Sequence, residues 1–252
     1  MKTINDLAQI IKLWPFHLPD IDHLITRSAL FDKTKSKSLK IGIMDTGVDR
    51  SHPCFANAKL ITKDFSGGSN PVDEIGHGTH CSALLIGHET GRHIGLIPSA
   101  ELYAAKIIGH HRNGSQHTEK SMVMALKWLI ANHVHCIVIT LGRHKPSFAI
   151  EREIGLAHEK GIIVMASAGN HGGSLPLFPS SIPGVICVSA TGKDGLPLPE
   201  CYTGALVDIF VPGESICSAN INHNYSEMSG SSQAAALFCG LLARKLYYYH
   251  VL

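Results

Sequence analysis

No stretch of this sequence approaches the ~20 consecutive apolar residues of a membrane-spanning helix. Its amino-terminal segment, MKTINDLAQIIKLWPFHLPD, breaks its apolar positions with Asn5, Asp6, Gln9 and Lys12, so the uninterrupted apolar region of a secretory signal is missing too. A cytoplasmic setting away from any membrane is the resulting expectation. A surplus of positive charge is also lacking, because 22 basic side chains face 20 acidic ones for a formal charge of +2. Neutralising a run of phosphates requires such a surplus, so nucleic acid is excluded as the expected partner. Paired CxxC spacings do not occur, and seven cysteines is an odd number, which reads as reduced and mostly buried thiols rather than a disulfide framework. The seventeen histidines include the close pairs His77/His80, His88/His93, His110/His111 and His133/His135. None has a cysteine or histidine pair at zinc-finger spacing or the glutamate of HExxH, so neither a metal nor another cofactor is expected.

What the chain does have is apolar bulk. Of its 252 residues 44% are apolar and 17% charged, enough for a sizeable core in one compact domain. Residues 1–38 read as an amino-terminal extension ending in the polar linker DKTKSKS, and residues 39–252 as the domain proper. From Leu39 onward, short apolar runs alternate with segments of helical period. LKIGIMDTG, ELYAAKII, CIVITLG and IIVMASAGN read as buried strands. HGTHCSALLIGH, HTEKSMVMALKWLIANH and AIEREIGLAHEKG read as helices, the second placing Met122, Ala125, Leu126, Leu129 and Ile130 on one face. Apolar strands alternating with amphipathic helices predict an α/β fold of three layers, with a mainly parallel sheet between helices. In such sheets ligands bind beyond the carboxyl ends of the strands, where Asp45, Gly142 and Gly169-Asn170 are placed.

Hydrolysis of an acyl bond near neutral pH needs a nucleophile, a base, a group that orients the base, and donors for the oxyanion. Ser232 lies in MSGSSQAAALFCG, where Gly230 allows a tight turn and the alanine run starts a helix, whose free N–H groups favour a developing negative charge. His77, in GHGTH, offers an imidazole between two glycines, with Thr79 placed to orient the turn. Asp45, ending an apolar strand, is placed to hold the second imidazole nitrogen. Asn170, at another strand end, supplies a side-chain amide donor.

IGIMDTGVDRSHP, GHGTHCSALLIG, VMASAGNHG and MSGSSQAAALFCG resemble, in order, the Asp, His, oxyanion-Asn and Ser blocks of the subtilisin-like serine peptidases. The resemblance runs from about Leu39 to Leu246. It implies a serine endopeptidase of the three-layer subtilisin-like fold that cleaves peptides or proteins through an acyl-enzyme. The family register implies Ser232, not its neighbour Ser231, as nucleophile. It also implies that Thr140-Leu141-Gly142 and Ala168-Gly169 line an extended substrate, with Leu177 at the floor of the pocket for the residue before the cut. SHPCFANAKL resembles in particular the subtilisin-like proteases that trim leader peptides in cyanobactin-type biosynthesis, which makes a processing protease the expected role.

The sequence also departs from the family pattern. The serine block reads Gly230-Ser231-Ser232-Gln233-Ala234-Ala235-Ala236, without the family's methionine and proline. A catalytically weak, peptide-binding relative is therefore the alternative expectation. Cys54 stands where relatives place a calcium-binding aspartate, and the loop between Ile86 and Gly95 is short, so a calcium site of that type is not expected. The chain also ends soon after the serine helix, where relatives continue with another strand and helix, so a trimmed or partner-covered sheet edge is expected.

Overall fold

A computed structural model describes residues 38–88, 95–109 and 114–251. The extension and linker, most of the loop between Ile86 and Gly95, and the histidines His93, His110 and His111 lie outside the described residues. Seven strands form one sheet: β1 (Lys40–Asp45), β2 (Lys59–Asp64), β3 (Glu101–Lys106), β4 (Cys136–Ile139), β5 (Ile163–Ser167), β6 (Ile186–Thr191) and β7 (Ile209–Pro212). Their order is β2-β3-β1-β4-β5-β6-β7, and every neighbouring pair is parallel. A separate antiparallel ribbon joins β8 (Ile216–Ala219) to β9 (Tyr225–Met228).

Among the described residues four α-helices cover the sheet: α1 (His77–Ile86), α2 (Gly114–Ala131), α3 (Phe148–Glu159) and α4 (Ser231–Val251). Strands β1, β3, β4, β5 and β6 are buried almost throughout because both of their faces are covered. Successive side chains on a strand point to opposite faces, so Ile41 and Ile43 of β1 and Cys136 and Val138 of β4 join the core under α1 and α4. Met44, Ile137 and Ile139 join the second core, under α2 and α3. All five residues expected on the inner face of α2 are buried. Leu129 among them rests on Gly42, where an added β-carbon would approach it to 2.9 Å. Burying such a leucine is worth roughly 1.5–3 kcal/mol. Ala234, Ala235 and Ala236 are fully buried, so α4 lies close against the sheet.

The topology creates one crevice. From β1 the chain builds β3 and β2 on one side and β4 on the other, so the carboxyl ends of β1 and β4 flank the point where winding reverses, and side chains meet there. Asp45 ends β1, and Thr140 follows β4. The expected strand through Gly142 stops at Ile139, which leaves Thr140, Leu141 and Gly142 beyond the strand as a rim. β2, β6, β7 and the β8–β9 ribbon were not among the expected strands.

None of the seven cysteines forms a disulfide, and Cys217 is the exposed one. No helix among the described residues is long and apolar enough to cross a membrane.

Candidate active site

Asp45, His77 and Ser232 come from three elements that meet at the crevice. Asp45 is 2% exposed. Its Oδ1 faces His77 Nδ1 at 2.7 Å and accepts from Thr46 N at 2.7 Å, while Oδ2 accepts the Thr140 hydroxyl at 2.5 Å. Burial alone would raise the Asp45 carboxyl above its usual range, but the neighbouring imidazole and these hydrogen bonds hold it below. His77 shows the mirror effect. Burial pulls its pKa down, yet the charge and hydrogen bond of Asp45, with a smaller contribution from Asp73, leave it raised. The ring is thus oriented with Nδ1 on the carboxylate and Nε2 free to face a nucleophile.

His77 is the first residue of α1, capped by Gly76 at φ 97, a left-handed conformation that favours glycine. A side chain at Gly78 would collide with the Gly47 carbonyl, so the helix start sits directly on the turn that follows Asp45. Two residues absent from the sequence reading hold this junction. Asp73, 3% exposed, accepts from Thr46 Oγ1 (2.9 Å), Ile75 N (2.9 Å), Gly76 N (3.0 Å), Thr79 N (2.8 Å) and Thr79 Oγ1 (2.7 Å). Thr46 Oγ1 also accepts from Gly78 N at 2.9 Å. The available signal was the acidic residue four positions before His77, which by itself reads as an ordinary turn.

Ser232 is the second residue of α4, after Gly230 at φ 145. Its hydroxyl does not engage His77 as the sequence reading implied; it donates to the Thr140 carbonyl at 2.8 Å. Catalytic hydrogen bonds are often long until substrate is bound. Ser231 points elsewhere. It is fully buried, accepts from Gly169 N at 3.0 Å and donates to Asn170 Oδ1 at 2.8 Å.

Asn170 Oδ1 also accepts from Ser231 N at 2.9 Å and from the Cys201 thiol at 3.3 Å. With the oxygen occupied by these donors, the Nδ2 amine is the group left to face outward. A β-carbon at Gly230 would lie 2.5 Å from that nitrogen, so only glycine leaves it room. Asn170 Nδ2 and the Ser232 N–H at the start of α4 are the two donors that the sequence reading places at an oxyanion.

Leu177 lies between the two expected substrate walls. A β-carbon on Gly142 or on Gly169 would come within 2.6 or 2.7 Å of its side chain. Leu177 is one of the residues lining a cavity of about 250 Å³, together with Gly169, His171, Tyr202 and His144, the two imidazole centroids being 5.3 Å apart. Ala168 is buried, and its carbonyl accepts from Leu177 N at 2.8 Å. The backbone groups of Leu141 and Gly142 have no hydrogen-bond partner among the described residues, leaving them open to an extended peptide.

Among the described residues, the one group able to converge on a metal is Asp45, His77 and Cys81, whose ligand atoms lie within 4.8 Å of one another. Burial, and then the charge of Asp45, push the Cys81 thiol well above its usual range, so it stays protonated and is a poor ligand.

A carboxylate–imidazole pair beside a helix-start serine, at the switch point of a parallel sheet, defines the class of α/β hydrolytic proteins with a serine-centred site. The subtilase family (Peptidase S8) profile matches residues 36–250, and the chain belongs to that family of subtilisin-type serine proteases. Subtilisin Savinase of Lederbergia lenta is 30% identical over 207 residues, covering 81% of this chain and 75% of that protein. The minor extracellular protease Epr of Bacillus subtilis (strain 168) is 29% identical over 214 residues, and there the matched region is only 32% of the relative's length. Among solved structures, the prenylagaramide maturation protease PagA matches with a TM-score of 0.73 at 22% identity, over 93% of this chain and 83% of that one. The patellamide maturation protease PatA gives 0.72 at 24% identity, over 82% and 77%. A cold-adapted subtilisin-like serine proteinase gives 0.73 at 24%, over 84% and 76%. These likenesses establish the shared fold.

Proposed function

We propose that this chain is a serine endopeptidase in which Ser232 attacks the scissile carbonyl, His77 takes and returns the proton, and Asp45 orients His77. The observation that carries the proposal is the 2.7 Å contact of buried Asp45 with His77 Nδ1. The carboxylate fixes the tautomer in which Nε2 accepts a proton, and it stabilises the imidazolium that forms. Asn170 Nδ2 and the Ser232 N–H receive the oxyanion, and collapse of the tetrahedral intermediate gives an acyl-enzyme that water then hydrolyses. The peptide lies along Thr140-Leu141-Gly142 and Ala168-Gly169, with the side chain before the cut above Leu177.

The proposed role is a processing protease that makes a few defined cuts in a cytoplasmic precursor. Seven cysteines without a disulfide support a reducing compartment. Leu177 between the walls supports a restricted pocket, and the names of the two maturation proteases sharing the fold agree with processing. Mass spectrometry of precursor peptides incubated with the parent and with Ser232→Ala tests it. One or two parent-specific cuts are expected, and general degradation of casein would overturn the processing role. A second reading, a peptide-binding relative with little turnover, rests on the altered serine block and on the Ser232 hydroxyl resting on Thr140 instead of His77.

A further inference from the structure

Asp45 and His77 sit on separate elements, β1 and α1, and their direct hydrogen bond is backed by a second link between those elements. The second link runs through Asp73. On the β1 side it receives the Thr46 hydroxyl, and Thr46 N in turn donates to the same Asp45 Oδ1 that faces His77. On the α1 side it receives Gly76 N, Thr79 N and the Thr79 hydroxyl, which bracket His77 in the chain. Thr46 closes the loop by accepting from Gly78 N. The N–H groups of Ile75, Gly76 and Thr79 thus end on Asp73, and that of Gly78 ends on the threonine Asp73 holds. The carboxylate is itself held in place, because the 70–74 loop is tied to the sheet by the buried Lys106 ammonium. That ammonium donates to Val72 O at 2.7 Å, Asn70 O at 3.3 Å and Glu74 Oε2 at 3.2 Å.

We infer that Asp73 is a positioning residue for proton transfer, one that fixes the Asp45–His77 geometry through Thr46 and the 75–79 turn without touching substrate. The inference rests on the triad reading above. A neutral amide cannot replace this carboxylate, since five donors converge on its two oxygens and an asparagine would turn N–H groups towards some of them. Displacement of an imidazole by even an ångström costs rate much more than ground-state binding. Asp73 also favours the imidazolium electrostatically, in the same sense as Asp45. The ionisable groups facing His77 are Asp45 from β1, Asp73 from the preceding loop and the protonated Cys81 from α1 itself.

The test compares the parent, Asp73→Asn, Thr46→Val and Thr46→Ser on a chromogenic peptide across pH. Asp73→Asn is expected to lower kcat on the order of 10²-fold with KM within about twofold. Its acid limb should move to lower pH, because an anion that favours the protonated ring is gone. Thr46→Val should show a smaller loss in kcat, and Thr46→Ser, which keeps the hydroxyl, should recover the parent rate. Should Asp73→Asn fail to fold, the two threonine variants decide alone, and equal kcat for both would overturn the inference. So would an Asp73→Asn enzyme with lowered thermal stability but the parent's kcat and acid limb, which would make Asp73 purely structural. A parent without Ser232-dependent turnover would overturn the triad reading together with the inference.

Discussion

Thr140 contacts Ser232 with its carbonyl and Asp45 with its hydroxyl: the Ser232 Oγ–H donates to Thr140 O at 2.8 Å, and Thr140 Oγ1 donates to Asp45 Oδ2 at 2.5 Å. One residue at the end of β4 thus bridges the two outer members of the proposed triad. Thr140→Val keeps the shape and deletes the second bond, leaving a buried carboxylate oxygen without its donor. It should cost about 1–3 kcal/mol of stability, read by urea unfolding in a Ser232→Ala background to prevent autolysis. Unchanged stability would mean that Oδ2 finds water in its place.

The two adjacent serines should separate cleanly. Ser232→Ala removes the proposed nucleophile and is expected to abolish turnover in a peptide assay. Ser231→Ala should retain activity at a level reduced about tenfold in kcat, because Asn170 Oδ1 loses one of its donors and the oxyanion amide is held less firmly. Equal loss in both variants would leave the assignment of the nucleophile open to Ser231.

The pH dependence follows from the signs of the shifts. The raised pKa of His77 keeps the ring protonated to higher pH than a free imidazole, so kcat/KM should rise along a limb displaced above the ordinary imidazole value. For stability, a raised pKa on His77 contributes fully below its unfolded value and is lost as pH climbs through the folded value. The lowered pKa of Asp45 contributes above its unfolded value and is lost as pH falls through the folded one. The pair should therefore stabilise the fold most between the depressed Asp45 and the raised His77 titrations. Urea midpoints of Ser232→Ala against the same protein carrying His77→Ala, across pH, check this window.

Chelation by EGTA should leave the melting temperature unchanged. Cys54 is fully buried, and burial pushes its thiol up to about 12, so it remains a neutral thiol where relatives place a calcium-ligating carboxylate. A fall of several degrees would point to a calcium site elsewhere in the chain.

Leu177→Gly should enlarge the pocket. Its side chain rests against both Gly142 and Gly169, and close-packed walls do not yield cheaply to a large ring. Removing it should raise kcat/KM for Phe or Tyr before the cut by about tenfold or more, relative to alanine there. Matching profiles for parent and variant on a peptide library would show that Leu177 belongs to the core.

How far the sequence could be read depended on the kind of signal each feature leaves. β1, β3, β4 and β5 are buried on both faces and stand out as apolar runs. β2 is an edge strand whose alternate positions face solvent, and KLITKD hides among polar residues. β6 and β7 lie in glycine- and proline-rich sequence that reads as turns. The Asp45, His77 and Ser232 blocks stand out in the sequence because each combines a chemically able side chain with glycines at a strand end or helix start. Asp73 and Thr46 do not, since their role comes from hydrogen bonds between segments 27 residues apart in sequence. The direction of the Ser232 hydroxyl is a rotamer choice that no sequence pattern encodes.

Stoichiometric labelling by a serine-directed organophosphonate tests the central claim most directly, because only an activated serine facing an oxyanion site reacts at a useful rate. Intact-mass and peptide mapping of the folded protein should show one adduct on Ser232, absent from Ser232→Ala and strongly slowed in His77→Ala. A folded parent that takes up no label, or is labelled at another residue, would contradict the account.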